Sequence, residues 1–233
     1  MAQDFGIPNA NGTRMERIET AETLIDQVYE RVVEAIADGA LPAGTRIRQG
    51  ELAARLGVSR QPVSHALHLL HRQGLLRESG RKGFEIAPDD PARIAQIYDV
   101  RAALDGLAAS RAAARRDEAA LAELDAIIAA TRNAQGIPAL LRLDLAFHRA
   151  LYRASGNPVF EAMTGPHFPA LARAMAAVLE TEDYRARAAR EHETILARMR
   201  EGDAAGAEAA ARDHARNAGE ITARRLAERA RAG

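Results

Sequence analysis

From Arg93 to Arg229 the apolar residues recur every three or four positions through six segments, divided only by short polar or glycine-containing breaks. That period is the signature of amphipathic helices. The segments read as Arg93–Arg115, Glu118–Arg132, Pro138–Ala154, Pro158–Glu180, Tyr184–Arg200 and Ala204–Arg229. Breaks at RNAQG, SGN, ETED and EGD are too short for consecutive helices to run parallel, so neighbours must be antiparallel. The expectation is a six-helix antiparallel bundle. Aromatics at 4% and the absence of tryptophan agree with a mainly α protein.

The preceding residues are organised differently. Residues 1–22 are polar and read as a flexible arm. A first helix carries Leu24, Val28, Val32 and Ile36 on one stripe and ends at Asp38-Gly39, before the LPAGTRI turn. A short helix from Gln49 to Leu56, the tight Gly57 and a second helix from Arg60 to Gln73 follow. LLRESGRKGFEIA then reads as two short strands around a turn from Gly80 to Gly83. Helix, turn, helix and hairpin form a winged helix-turn-helix over residues 23–88. APDDPA, Ala87 to Ala92, closes it, leaving residues 89–233 as the helical domain. Without cysteine, disulfides, thiolate zinc sites and cysteine nucleophiles are excluded. The chain has no apolar run of membrane-spanning length and no export signal, so the cytoplasm is the expected compartment and no membrane partner is expected.

LGVSRQPVSHALHLLHRQGLL, Leu56 to Leu76, carries the first functional signal. Ser59 is placed to cap the second helix, and Pro62 falls in its first turn, where a missing N–H costs little. Val63, Ala66, Leu67 and Leu70 form the inner stripe. Arg60, Gln61, Ser64, His65 and His68 are left outward. Net charge is zero over the whole chain, yet Leu41 to Ile86 holds eight basic and three acidic residues. A helix presented in this way enters a major groove with its N-terminal residues first. Arg60 suits a guanine edge and Gln61 an adenine, while Arg48 suits phosphates. Arg81 and Lys82 add cations at the hairpin tip, beside the close-approaching backbone of Gly83. The partner expected is double-stranded DNA, and a palindromic site implies a homodimer.

The second signal lies in the helical half. Asp144 and His148, in LDLAFH, project from one face of one helix at i and i+4. His192 stands eleven residues before Asp203 in the EGD turn, and His214 eleven residues after it. Equal distances from a hairpin turn put residues at equal heights. Leu143, Ala146, Phe147 and Leu151 crowd the first pair, so a buried carboxylate and three imidazoles need a partner. A divalent metal ion, zinc or nickel first, is the natural one.

These residues also resemble a known family. VYERVVEAIADGALPAGTRI, GELAARLGVSRQPVSHALHLLHRQGLL and GRKGFEI look like the N-terminal domain of GntR-type bacterial transcription regulators. The resemblance implies that Ser59, Arg60 and Gln61 touch operator DNA, with Gly83 at the wing. One departure is VSHAL where the family commonly has VREAL: Ser64 stands at a usual arginine and His65 at a usual glutamate. DLAFHRALYRASGN, EHETILARMREGDAAGAEAAARDH and YDVRAALDGLAA resemble the FCD ligand-sensing domain of the FadR-like branch. This second resemblance implies that Asp144, His148, His192 and His214 ligate the metal and that Arg101 binds the carboxylate of a small organic acid effector. Six helices imply the VanR-like subgroup. The function expected is ligand-responsive transcription repression rather than catalysis. The alternatives are a metal-dependent hydrolase, for which no general base has a readable spacing, and a constitutive repressor with a purely structural metal.

Overall fold

The computed structural model describes residues 24–37, 39–80 and 83–232. The expected N-terminal arm, Asp38 and the hairpin-tip residues Arg81 and Lys82 lie outside the described residues. Val28, Val32 and Ile36 bury one face of α1 (Leu24–Ala37) against α3 (Arg60–Arg72). Leu24, expected on the same stripe, is 52% exposed, because it opens the helix a full turn before Val28. Between them α2 (Gln49–Leu56) ends at Gly57, whose left-handed φ of 67° lets its N–H donate to the carbonyls of Ala53 and Ala54. That turn sets α2 against α3.

Pro62, Val63, Ala66, Leu67 and Leu70 form the inner stripe of α3. Ser59 has the extended backbone of a cap, but its side chain makes no cap hydrogen bond. The expected capping contact is therefore absent, and Ser59 remains exposed at the outer end of the helix. β2 (Leu76–Ser79) and β3 (Gly83–Ile86) make the expected hairpin, with Ser79 opposite Gly83. β1 (Arg46–Ile47) pairs antiparallel with β3, giving the order β1-β3-β2. Two residues are too few to show an alternating pattern, so this strand has no legible signal.

The helical domain starts where Asp90 caps α4 (Pro91–Arg115), accepting from the N–H groups of Ala92 and Arg93. It continues through α5 (Glu118–Arg132) and α6 (Ile137–Ala154). The fourth expected segment is present but divided. α7 (Val159–Thr164) and α8 (Phe168–Leu179) flank a 3-10 turn, Gly165–His167. Pro166 and Pro169 each remove a backbone donor there, which breaks the helical ladder. α9 (Glu182–Glu201) and α10 (Ala204–Ala232) complete the domain. Six segments thus supply seven α-helices among the described residues, and a count of six holds only if 159–179 is taken as one kinked rod.

The longest helices, α4 and α10, form the most extensive pairing. Gly219 makes the approach possible, since a Cβ there would sit 2.6 Å from the Cβ of Tyr98. α6 and α9 pack on α4, and α9 also packs on α10. The four helices enclose the polar cluster described next. Among the described residues no helix is long and apolar enough to cross a membrane.

Candidate metal centre and DNA-facing helix

Inside the bundle the α6 pair meets the α9–α10 hairpin pair. Asp144, His148, His192 and His214 are each between 1% and 9% exposed. His192 Nε2 lies 3.1 Å from His214 Nε2 and 3.9 Å from Asp144 Oδ1, and His148 Nε2 lies 3.9 Å from Asp144 Oδ2. One ring nitrogen from each histidine falls within 4.8 Å of the others. The ring of Phe147 stacks on His192 at 3.8 Å, closing one side with apolar surface. The structure therefore brings the four sequence-selected residues to one point.

Carboxylates stand beside the outer ring nitrogens of two of the histidines. His214 Nδ1 donates to Glu191 Oε2 at 2.8 Å, and His148 Nδ1 lies 3.2 Å from Asp105 Oδ2. A proton on each Nδ1 leaves the Nε2 lone pairs facing inward, the arrangement that orients metal-ligating imidazoles. Burial first, and then the charge of Arg101, hold His148 below its ordinary pKa; burial, followed by the neighbouring histidines, holds His192 well below. Both are therefore neutral donors near pH 7. Two inward lone pairs 3.1 Å apart repel unless a proton or a cation lies between them. Asp144 Oδ2 and both ring nitrogens of His148 are buried without a hydrogen-bond partner, the 3.2 Å approach of Nδ1 to Asp105 being a charge contact rather than an aligned bond. Three imidazoles and one carboxylate, with Asp144 Oδ2 and His148 Nε2 among their unpaired atoms, fit a divalent metal.

Arg101, singled out as an effector-binding cation, is buried beside this cluster on α4. Its Nε donates to Asp105 Oδ2 at 3.2 Å, and its Nη1 has no partner. The Tyr152 hydroxyl donates to the other oxygen of Asp105. Burial opposes the charge of Asp105, but Arg101 and then His148 outweigh it and hold the carboxyl at about 2. Asp105 is thus the buried hub joining Arg101, His148 and Tyr152.

On the other domain Ser59, Arg60, Gln61 and His65 are exposed along the outer face of α3, and Ser64 is half-buried. The Arg60 guanidinium passes over the first turn of α2, where a Cβ on Gly50 would lie 3.3 Å from it. Arg48 sits just before α2, in an exposed pair with Glu51 at 2.8 Å. Gly83 opens β3. Arg81 and Lys82 fall outside the described residues.

Comparison with known proteins finds two family models that match in the order the fold presents. "Bacterial regulatory proteins, gntR family" matches residues 24–86, and "FCD domain" matches residues 96–217, over half of the chain. The chain belongs to the GntR family and carries an FCD domain. The GntR family consists of transcription regulators rather than enzymes. Its relatives include the uncharacterised HTH-type transcriptional regulator YdhC of Bacillus subtilis, 32% identical over 56% of this chain and 60% of that protein. Another is the probable D-xylose utilization operon transcriptional repressor of Paenarthrobacter nicotinovorans, 31% identical over 59% of this chain and 62% of that protein. The matched part therefore spans less than two thirds of either relative. In fold, the chain is similar to the solved structure of E. coli McbR/YncC, with a TM-score of 0.74 at 21% identity, covering 87% of this chain and 98% of that one.

Within the FCD domain the sequence reading missed Asp105 and Glu191. Glu191 directly precedes His192, and Asp105 follows Arg101 by one helical turn. A signal existed for Asp105, since Arg101 and Asp105 form an i,i+4 pair inside an alanine-rich stretch, but such a pair ordinarily marks a solvated surface.

Proposed function

We propose that this chain is a cytoplasmic, dimeric transcription repressor whose FCD domain senses a small organic acid at a divalent metal. The observation that carries this reading is the enclosed set of Asp144, His148, His192 and His214, with unpaired atoms on Asp144 and His148, next to a buried arginine with one unpaired nitrogen. Burying so many unsatisfied polar atoms is costly unless something binds them. Zinc or nickel suits the nitrogen-rich donor set, and when bound would supply a Lewis-acidic position for a carboxylate. The protein's own residues do the rest. Glu191 orients the His214 ring, Asp105 sets its charge beside the His148 ring, Arg101 adds positive charge, and Tyr98 and Thr222 offer buried hydroxyls.

The DNA-facing half supports the output. Arg60 and Gln61 at the exposed N-terminal end of α3 suit base edges, while Arg48 and Ser59 suit the phosphate backbone. Two copies related by a two-fold axis match a palindromic operator. An effector alters DNA affinity to the extent that it binds the two domain arrangements differently.

The test is metal content of the purified protein beside Asp144→Ala and His192→Ala, followed by thermal shifts with small organic acids. About one metal per chain, lost in both variants, with acids raising Tm only in the loaded form, is the expected result. Wild type without metal would overturn the sensing half. A second reading, a constitutive repressor with a structural metal, is favoured by the pairing of Arg101 with Asp105. Metal that raises Tm without any further shift by acids would select it.

A further inference from the structure

A cavity of about 290 Å³ lies between α4 and the bend that joins α7 to α8. Two arginines and a histidine, Arg93, Arg101 and His167, line it together with Gln96, and no acidic residue does. Each of the three has a buried nitrogen without a partner: Arg93 Nε, Arg101 Nη1 and His167 Nδ1. Arg101 is 3% exposed, so its unpaired nitrogen has no access to bulk water. The hydroxyl of Thr164, also in the wall, is already used, donating to the Phe160 carbonyl. The remaining lining is mainly aliphatic. A mainly apolar cavity with two guanidinium groups and no carboxylate in its wall is complementary to an organic anion.

Arg93 and Arg101 stand two helical turns apart on α4, about 12 Å between Cα atoms. A single carboxylate satisfies one of them and leaves the other orphaned, whereas a short dicarboxylate reaches both. Arg93 has a second attachment. Its Nη2 donates to the backbone carbonyl of Gln73, at the end of α3, at 2.8 Å, and its guanidinium lies against Gly74. One residue therefore touches both the cavity and the end of the DNA-facing helix.

We propose that this cavity binds an organic dicarboxylate, one end on Arg101 and the other on Arg93 and His167, and that binding draws Arg93 away from the Gln73 carbonyl. A charge-assisted pair with a carboxylate is stronger than a bond to a neutral carbonyl, which gives the exchange its direction. Once Arg93 lets go, the end of α3 loses its hydrogen bond to the start of α4. This assignment rests on the sensing reading above and adds to it the effector's charge pattern and the residue that transmits the signal. The metal ligands lie on α6, α9 and α10, apart from Arg93 and His167.

The experiment titrates malonate, succinate, glutarate and adipate, with butyrate as the single-charge control, into the metal-loaded full chain by calorimetry. Wild type, Arg93→Gln and His167→Leu are compared, with metal content measured in every sample. At least one dicarboxylate is expected to bind wild type, and more than tenfold more weakly in either variant, with butyrate at least tenfold weaker than the best dicarboxylate. Hydrogen exchange of peptides covering residues 70–76 is expected to rise in wild type when that dicarboxylate is added. No saturable binding of any of the four at millimolar concentration overturns the proposal. So does binding within twofold of wild type in both variants, and unchanged exchange at 70–76 overturns the coupling. Failure here with metal present leaves the metal-sensing reading standing, while wild type without metal removes that reading whatever Arg93 does.

Discussion

On α3 the polar side chains of Arg60, Gln61 and His65 stand in solvent, whereas in the bundle those of Arg101, Asp105, Asp144 and three histidines are enclosed. Both groups are supported by the same device, an amphipathic helix with a well-packed apolar stripe. The outer group costs the fold little and is free to be exchanged for other contacts. Arg101, Asp105 and His214 of the inner group depend on a buried or half-buried neighbour for their charge or hydrogen bonds. The contrast separates residues whose loss is felt in binding from residues whose loss is felt in folding.

The sharpest way to break that contrast is Asp105→Ala, which strands Arg101 without its counter-ion. A loss of about 3–5 kcal/mol is expected in urea unfolding. The exposed Arg48–Glu51 pair, treated in the same way, is expected to leave the unfolding midpoint essentially unchanged. Equal losses would erase the distinction. Glu191→Gln is expected to weaken metal binding by about ten- to a hundredfold, by releasing the His214 ring, in a competition assay with a chelator. Arg60→Ala is the converse case. Operator affinity should fall by about 1–3 kcal/mol in fluorescence anisotropy while the unfolding midpoint stays put.

Acid sharpens the comparison within one molecule. Because His148 and His192 are held below their ordinary values in the fold, the unfolded chain binds more protons as pH drops below about 6.5. Metal-free stability should then be greatest above that pH and fall on acidification by up to about 1.4 kcal/mol per pH unit for each histidine. A pH series of thermal melts on chelator-treated protein reads this. A flat profile between pH 7 and 5 would mean that the imidazoles are not enclosed. The smallest effect is at Ser59. Since its side chain makes no cap hydrogen bond, Ser59→Ala should cost under about 0.5 kcal/mol instead of the roughly 1 kcal/mol of a working cap.

The parts of this structure that were legible in advance are those set by local periodicity. The i,i+4 spacing of Asp144 and His148, the symmetric placement of His192 and His214 about Asp203, and the inner stripe of α3 need only helix geometry. Asp105 is different. It becomes a hub only because α4 lies against α6, a contact between residues distant in sequence, and its spacing from Arg101 looks the same for a surface pair. The two-residue β1 carries no pattern. Arg93 was read only as the first residue of a helix, and its attachment to Gln73 appears only when the two domains are seen together.

The close seam between α4 and α10 has a mechanical consequence. With Tyr98 pressed onto Gly219, α4 is clamped along its length and has little freedom to bend, so it tilts as a beam. Asp105 sits near its middle and Arg93 at its end, about 18 Å away along the axis. A 5° tilt about the midpoint, small enough to pass through the packed bundle as a slight sliding of side chains, would carry the Arg93 end by about 1.6 Å. That is enough to part a 2.8 Å hydrogen bond. The same tilt would move Arg101, about 6 Å from that midpoint, by only about 0.5 Å, so the neighbouring domain would register a movement that the buried cluster hardly feels.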